Sequence, residues 1–288
     1  MYFESKVLNV AIKRRKVHYI PDIVFAQVPT FSSSWQQLQM DILLPQSDTP
    51  LPAVIFVTGG GFISANRARC PQLRMRLAEA GYFVGSINYR TAPDSVFPQP
   101  VEDVRNAIGF LRASAKRFNI DAEKISVVGD SAGGYLAAFV STINDPKICA
   151  GVSLYGVTDL TKIAEDYSED RKALHKVSAS AESLLLFGVP QFRGRAGTVF
   201  TDEKLATNAN PINYVTEYSA PMLLMHGTAD DVVSPSQTDL LFQALKNAGV
   251  DSERYVIPNA NHSDEFWVQD EVFDVILNFL NKYSFDSK

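Results

Sequence analysis

Gly129-Asp130-Ser131-Ala132-Gly133 directly follows the apolar run Ile125-Ser126-Val127-Val128 and opens the segment Tyr135-Leu136-Ala137-Ala138-Phe139-Val140, an order that reads as strand, sharp turn and helix. In the G-x-S-x-G pattern the small residues beside the serine let the backbone turn tightly enough to project the hydroxyl from the strand end. Ser131 is therefore a candidate nucleophile. The pentapeptide alone also fits an ordinary glycine-rich turn, so the case for chemistry rests on residues far from it.

The same alternation of elements continues on both sides. Upstream, Leu38, Met40 and Ile42 alternate with polar neighbours as in a half-buried strand, and the turn-like linker Gln46 to Pro50 predicts a hairpin to the buried strand Ala53-Val54-Ile55-Phe56-Val57. A helix is expected over Pro71 to Ala80, closed by Gly81, followed by a strand from Tyr82 to Tyr89. Val104, Ile108, Leu111, Ala115 and Phe118 mark the apolar face of the next helix. Downstream, Cys149 to Tyr155, Met222 to Met225 and Arg254 to Ile257 read as strands, and Val272, Ile276 and Phe279 line a terminal helix. Ser234, Pro235 and Gln237 have the spacing of a capping box with proline at the first helical position. Strands separated by helices of this length build a mostly parallel sheet covered on both faces, an α/β fold. The alternation stops after Tyr155 and resumes at Met222, so residues 158–215 are expected to be an insertion, a cap within a single domain spanning 1–288. The arm 1–36 has no assigned element.

Composition narrows the function classes. The hydrophobic fraction of 46% and charged fraction of 20% are those of a globular protein, and a net charge of −5 gives no footprint for nucleic acid or an anionic membrane. Cys70 and Cys149 are far apart and form no C-x-x-C pattern, so neither a disulfide framework nor a metal site is expected. Met1 to Val17 lacks the apolar core of a secretory signal, its basic run Lys13-Arg14-Arg15-Lys16 reads as a solvated face, and no stretch reaches the ~20 apolar residues of a membrane span. A cytoplasmic location is the expectation. Homo-oligomerisation is left open.

A serine hydroxyl needs a base, usually histidine, held in turn by a carboxylate. Of the four histidines, His18 lies in the arm and His175 in the insertion, both read as surface or locally bonded imidazoles, and His226 is expected to order its own turn. His262 follows the last strand, at the end where an open parallel sheet places reactive groups. Asp230, with Asp231 as rival, occupies the equivalent loop after the preceding strand. The order serine, acid, histidine is that of α/β-hydrolases. Gly59, Gly60 and Gly61 can turn their N–H groups inward after a buried strand, and the Ala132 N–H starts the nucleophile helix; both suit a developing oxyanion.

Thr58-Gly59-Gly60-Gly61-Phe62, Asn88-Tyr89-Arg90-Thr91-Ala92-Pro93, Phe97-Pro98 with Glu102-Asp103, Gly129 to Gly134, and His226-Gly227-Thr228-Ala229-Asp230 together resemble the hormone-sensitive-lipase-like and feruloyl-esterase-like carboxylesterases of the α/β-hydrolase superfamily. The resemblance runs from about residue 38 to the C-terminus. It implies Ser131 as nucleophile, His262 as base, Asp230 as orienting acid, and the N–H groups of Gly60, Gly61 and Ala132 as oxyanion hole. One departure is Thr58, where the family motif usually begins with histidine, which bears on the bracing of the loop rather than on its backbone donors. The implied activity is cofactor-free, metal-free hydrolysis of small carboxylic esters, of acetyl or other short acyl groups or of hydroxycinnamates. Phe62, Phe187 and Phe192 are the expected substrate contacts. A prolyl-oligopeptidase-like peptidase and a non-catalytic ligand-binding protein of the same fold are the alternatives; the first lacks its long β-repeat region here, and the second would be expected to lack part of the triad.

Overall fold

The structure, a computed structural model, describes residues 5–31, 33–189 and 194–285. Its strands are β1 (Val17–Pro29), β2 (Trp35–Pro45), β3 (Leu51–Val57), β4 (Phe83–Ile87), β5 (Ile120–Asp130), β6 (Ala150–Leu154), β7 (Met222–Gly227) and β8 (Ser252–Ile257). Among the described residues they form one sheet in the order β1-β2-β4-β3-β5-β6-β7-β8. β3 to β8 run parallel, and β1 and β2 are antiparallel additions at one edge.

Residues of β3 show why the sheet is covered on both faces, since successive side chains point to opposite sides. Ala53, Ile55 and Val57 pack in one core with α2 (Gln99–Ala113) and α4 (Ala132–Ile143). Val54 and Phe56 pack in another with α1 (Pro71–Ala80) and α9 (Asp270–Ser284). Full burial of each such side chain contributes ~1.5–3 kcal/mol, which favours this double covering over an open sheet. α8 (Ser236–Asn247) closes the far end through Leu241 and Leu245 on Met222 and Leu224. The short α3 (Ala115–Phe118) leads into β5. No helix among the described residues is long and apolar enough to cross a membrane.

The strand order places the site. From β3 the chain crosses to β4 on one side and then returns past β3 to β5 on the other, so the ends of β3 and β5 flank a topological switch point, where such sheets bind ligands. Register brings Val57 beside Gly129, Gly129 beside Ser153, and Gly227 beside Ile257, so the loops after β3, β5, β7 and β8 leave from one rim. The loop after β4 is fixed there by Arg90, whose guanidinium and backbone N–H both bond the buried Asp103 of α2, with Nη2 to Oδ1 at 2.7 Å.

Three expectations change. No hairpin joins β2 to β3, because β2 pairs with β1 and β4 while β3 sits between β4 and β5. Part of the arm is strand: β1 pairs with β2 across two register shifts, and its half-exposed pattern and Pro21 fit a bulged edge strand. Gln237 does not reach back to close a capping box. Its Oε1 accepts the N–H groups of Thr158 (2.9 Å) and Asp159 (2.8 Å), tying the root of the insertion to α8.

That insertion holds α5 (Glu169–His175), α6 (Ala181–Phe187) and α7 (Glu203–Asn208), with 3-10 turns before and after them. Asn210 closes its base, accepting the Leu160 N–H and donating to Asp159, both at 2.7 Å. Leu185, Leu186 and Phe187 join the main core, so the apolar run of α6 is satisfied by packing.

Candidate active site

Ser131 sits between β5 and α4 at φ 52° and ψ −119°, a conformation that costs a non-glycine residue ~1–3 kcal/mol and persists only where its surroundings enforce it. Those surroundings are tight. A Cβ on Gly133 would lie 2.0 Å from the Val57 carbonyl, and one on Gly129 would lie 2.1 Å from the Gly133 carbonyl. The Ser131 N–H donates to the Leu154 carbonyl at 2.9 Å, which fixes the turn to β6.

The structure brings Ser131, His262 and Asp230 into one hydrogen-bonded line. His262 Nδ1 is 2.8 Å from Asp230 Oδ2, and Nε2 is 2.8 Å from the Ser131 hydroxyl oxygen. An ionised carboxylate can only accept, so Nδ1 carries the proton and Nε2 is left to accept from the serine. Tyr155 meets the His262 ring edge-on at 4.8 Å and fixes its plane. Asp230 Oδ1 accepts the N–H groups of Val232 (2.9 Å) and Val233 (2.8 Å), and His226 Nε2 lies 3.3 Å from Oδ2. Burial alone would raise this carboxyl. Hydrogen bonds from His226, His262 and the Val233 N–H outweigh burial and hold it well below the usual carboxylate range. His226 orders the turn as expected, with Nε2 also 2.9 Å from the Val233 carbonyl. The rival Asp231 points elsewhere, into an ion pair with Arg171 at 2.6 Å.

Gly61 and Ala132 line the same cavity as Ser131, and Gly60 turns the loop, its carbonyl accepting the N–H groups of Ile63 and Ser64 at 3.1 Å. The loop is braced without the family's histidine. Buried Asp130 accepts the Gly59 N–H at 2.7 Å through Oδ1 and the Arg69 guanidinium at 3.1 Å through Oδ2. Arg69 also reaches Ser263, next to His262, at 3.3 Å. Tyr89 donates to the Thr58 carbonyl at 3.0 Å. Sequence reading missed Asp130 and Arg69, because one is the variable residue of the pentapeptide and the other carries no motif.

A cavity of ≈ 270 Å³ opens over Ser131. Phe62, Val157, Ile163 and Leu174 form apolar walls, and Arg171, His175 and Glu182 come from α5 and α6. Phe62, one of the expected substrate contacts, lines this cavity. Phe187, another, does not: its ring is in the core beneath the Arg195 guanidinium, 4.8 Å from the ring centre. Phe192 lies outside the described residues.

A parallel sheet carrying a serine on a strained strand-to-helix elbow, with acid and histidine on the two later loops of the same rim, defines an α/β-hydrolase. The BD-FAE family model matches residues 40–245, and the chain belongs to that family, within the hormone-sensitive-lipase-like and feruloyl-esterase-like carboxylesterases. It is 32% identical over 220 residues to Esterase LipC of Mycobacterium tuberculosis, covering 74% of this chain and 53% of that protein. Over 263 residues it is 25% identical to isoprenylcysteine alpha-carbonyl methylesterase ICME of Arabidopsis thaliana, covering 84% of this chain and 59% of the relative. The chain therefore spans about half the length of the curated relatives it matches. Solved structures share the fold: a truncated carbohydrate esterase from gut microbiota has a TM-score of 0.79 at 22% identity, covering 95% of this chain and 98% of that one. An acetyl ester-xyloside bifunctional hydrolase from Caldicellulosiruptor lactoaceticus has a TM-score of 0.69 at 24% identity, covering 86% and 90%.

The depressed Asp230 value has a consequence for stability. A carboxyl whose folded-state pKa lies below its unfolded value of ~3.9 contributes stability that is complete above that value and is lost as the pH falls through the folded one. Melting temperatures followed by circular dichroism through an acid titration should fall less steeply in Asp230→Asn than in the wild type. Identical acid dependence would show that the carboxylate is not held in this way.

Proposed function

We propose that this protein is a serine carboxylesterase acting on small carboxylic esters through an acyl-enzyme on Ser131. The observation that carries the reading is the continuous line from the Ser131 hydroxyl through His262 to Asp230, opening on one cavity. His262 Nε2 takes the hydroxyl proton as Ser131 attacks the ester carbonyl, and then delivers it to the departing alcohol. Water, deprotonated by the same nitrogen, releases the acid. Asp230 stays ionised and stabilises the imidazolium between these steps. The N–H groups of Gly60, Gly61 and Ala132 receive the oxyanion in this reading, supported by the places of Gly61 and Ala132 on the cavity wall.

The names of the relatives favour esters over peptides, and a cavity of ≈ 270 Å³ has room for a short acyl group. Acetyl fits this size. Hydroxycinnamoyl groups are the alternative acyl limb. A complete triad disfavours a binding protein that has lost its chemistry. We assign residues 158–215 the role of a cap, because Ile163, Arg171, Leu174, His175 and Glu182 from that segment line the cavity above Ser131. A cytoplasmic, cofactor-free enzyme completes the reading.

Kinetics on p-nitrophenyl esters of increasing chain length test it. Ser131→Ala and His262→Ala should each lower kcat by roughly 10⁵- to 10⁶-fold, and Asp230→Asn by about 10⁴-fold, since the acid orients the base and transfers no proton. Wild-type rates in Ser131→Ala would overturn the assignment, and an inactive Asp231→Asn beside an active Asp230→Asn would move the acid role. For the cap, Ile163→Ala should shift preference toward longer acyl chains. Phe187→Ala should lower thermal stability by ~3–5 kcal/mol without any shift in preference. The opposite pattern would place Phe187 at the substrate and Ile163 in packing.

A further inference from the structure

The cavity over Ser131 has two unlike walls. Its sheet side is apolar, from Phe62, Ala132 and Val157, whereas α5 and the start of α6 bring His175 and Glu182 to the other side. His175 Nδ1 lies 2.9 Å from Glu182 Oε1, and the two side chains are only 13% and 5% exposed. The Tyr167 ring stacks on the imidazole at 5.8 Å with planes 7° apart, so the histidine is fixed from its flat face as well as from its edge.

Two acceptors remain in this pair. With the Nδ1 proton given to Glu182 Oε1, Nε2 of His175 and Oε2 of Glu182 have no protein partner among the described residues. Neither atom is sealed from solvent, and both residues line the cavity, so a molecule that enters it can reach them. The position is therefore suited to a donor brought by a ligand. A free cation is not the best fit, because Arg171 lines the same cavity and is already paired with Asp231, leaving directional acceptors rather than a strong field.

We propose that His175 and Glu182 are specificity-determining residues that bind a hydroxyl group carried by the ester substrate. The hydroxyl donates to Glu182, and His175 bonds the same group or one on the adjacent carbon. This selects hydroxylated esters over plain ones of equal size, and it rests on the esterase reading given above. A site built to bond a hydroxyl discriminates against the analogue that lacks it because its polar groups are then left unpaired.

Two matched substrate pairs test this and distinguish the limb that carries the hydroxyl: a mono-acetylated pyranoside against cyclohexyl acetate for the alcohol, and ethyl lactate against ethyl propionate for the acid. In at least one pair the wild type should prefer the hydroxylated member in kcat/KM. The ratio for that pair should fall by roughly tenfold or more in Glu182→Gln, which keeps the shape, and in His175→Phe, which keeps the ring against Tyr167. Ratios that stay constant in both variants, with both members slowed equally and the melting temperature lowered, would make the pair a brace between helices and overturn the inference. If the wild type hydrolyses no member of either pair and Ser131 takes no fluorophosphonate label, the esterase reading fails and takes the inference with it.

Discussion

The backbone of Gly133 lies so close to the Val57 carbonyl that a methyl group would not fit between them, and the rest of the site depends on that approach. It brings the first turn of α4 against the end of β3. The glycine loop that follows β3 is thereby set beside the serine that precedes α4. The switch point of the sheet provides the crevice, and the close approach determines which two loops share it. Ser131 is held there in a strained conformation, with its hydroxyl within hydrogen-bond reach of His262.

Two buried carboxylates divide the remaining work. Asp130 faces the scaffold, joining the Gly59 N–H to Arg69 and through it to the loop of His262. Its position makes the missing histidine at Thr58 understandable, because the loop is held from below by a charge-assisted bond to its backbone. Asp230 faces His262 instead, and the donors around it hold its carboxyl well below the usual carboxylate range. Neither residue could exchange roles with the other. Among the described residues, Asp130 bonds no imidazole and Asp230 no residue of the glycine loop.

Much of this was legible in the sequence. The apolar runs of β3 and β7 are short and unbroken, as strands buried on both faces must be, and the places of Ser131, Asp230 and His262 after the strands β5, β7 and β8 could be read from that alternation. β1 was hidden because bulges break its period and one face is open to water. Phe187 was misplaced because an apolar run in an insertion has the same composition whether it faces a cleft or a core. His175 and Glu182 stand seven residues apart on separate helices, at a spacing that belongs to no motif, and only the turn between α5 and α6 brings them together. Asp130 could be read as part of a pattern but not as a brace, since its partners lie 71 and 61 residues away.

The central claim is that Ser131 is an activated nucleophile, and its most direct measurement is covalent. Mass analysis of the protein after reaction with a fluorophosphonate, followed by peptide mapping, should find one phosphonyl group per chain on the peptide containing Ser131, and none when His262 is replaced by alanine. A phosphonyl group on any other residue, or an unmodified chain under conditions that label a serine hydrolase, would contradict the account.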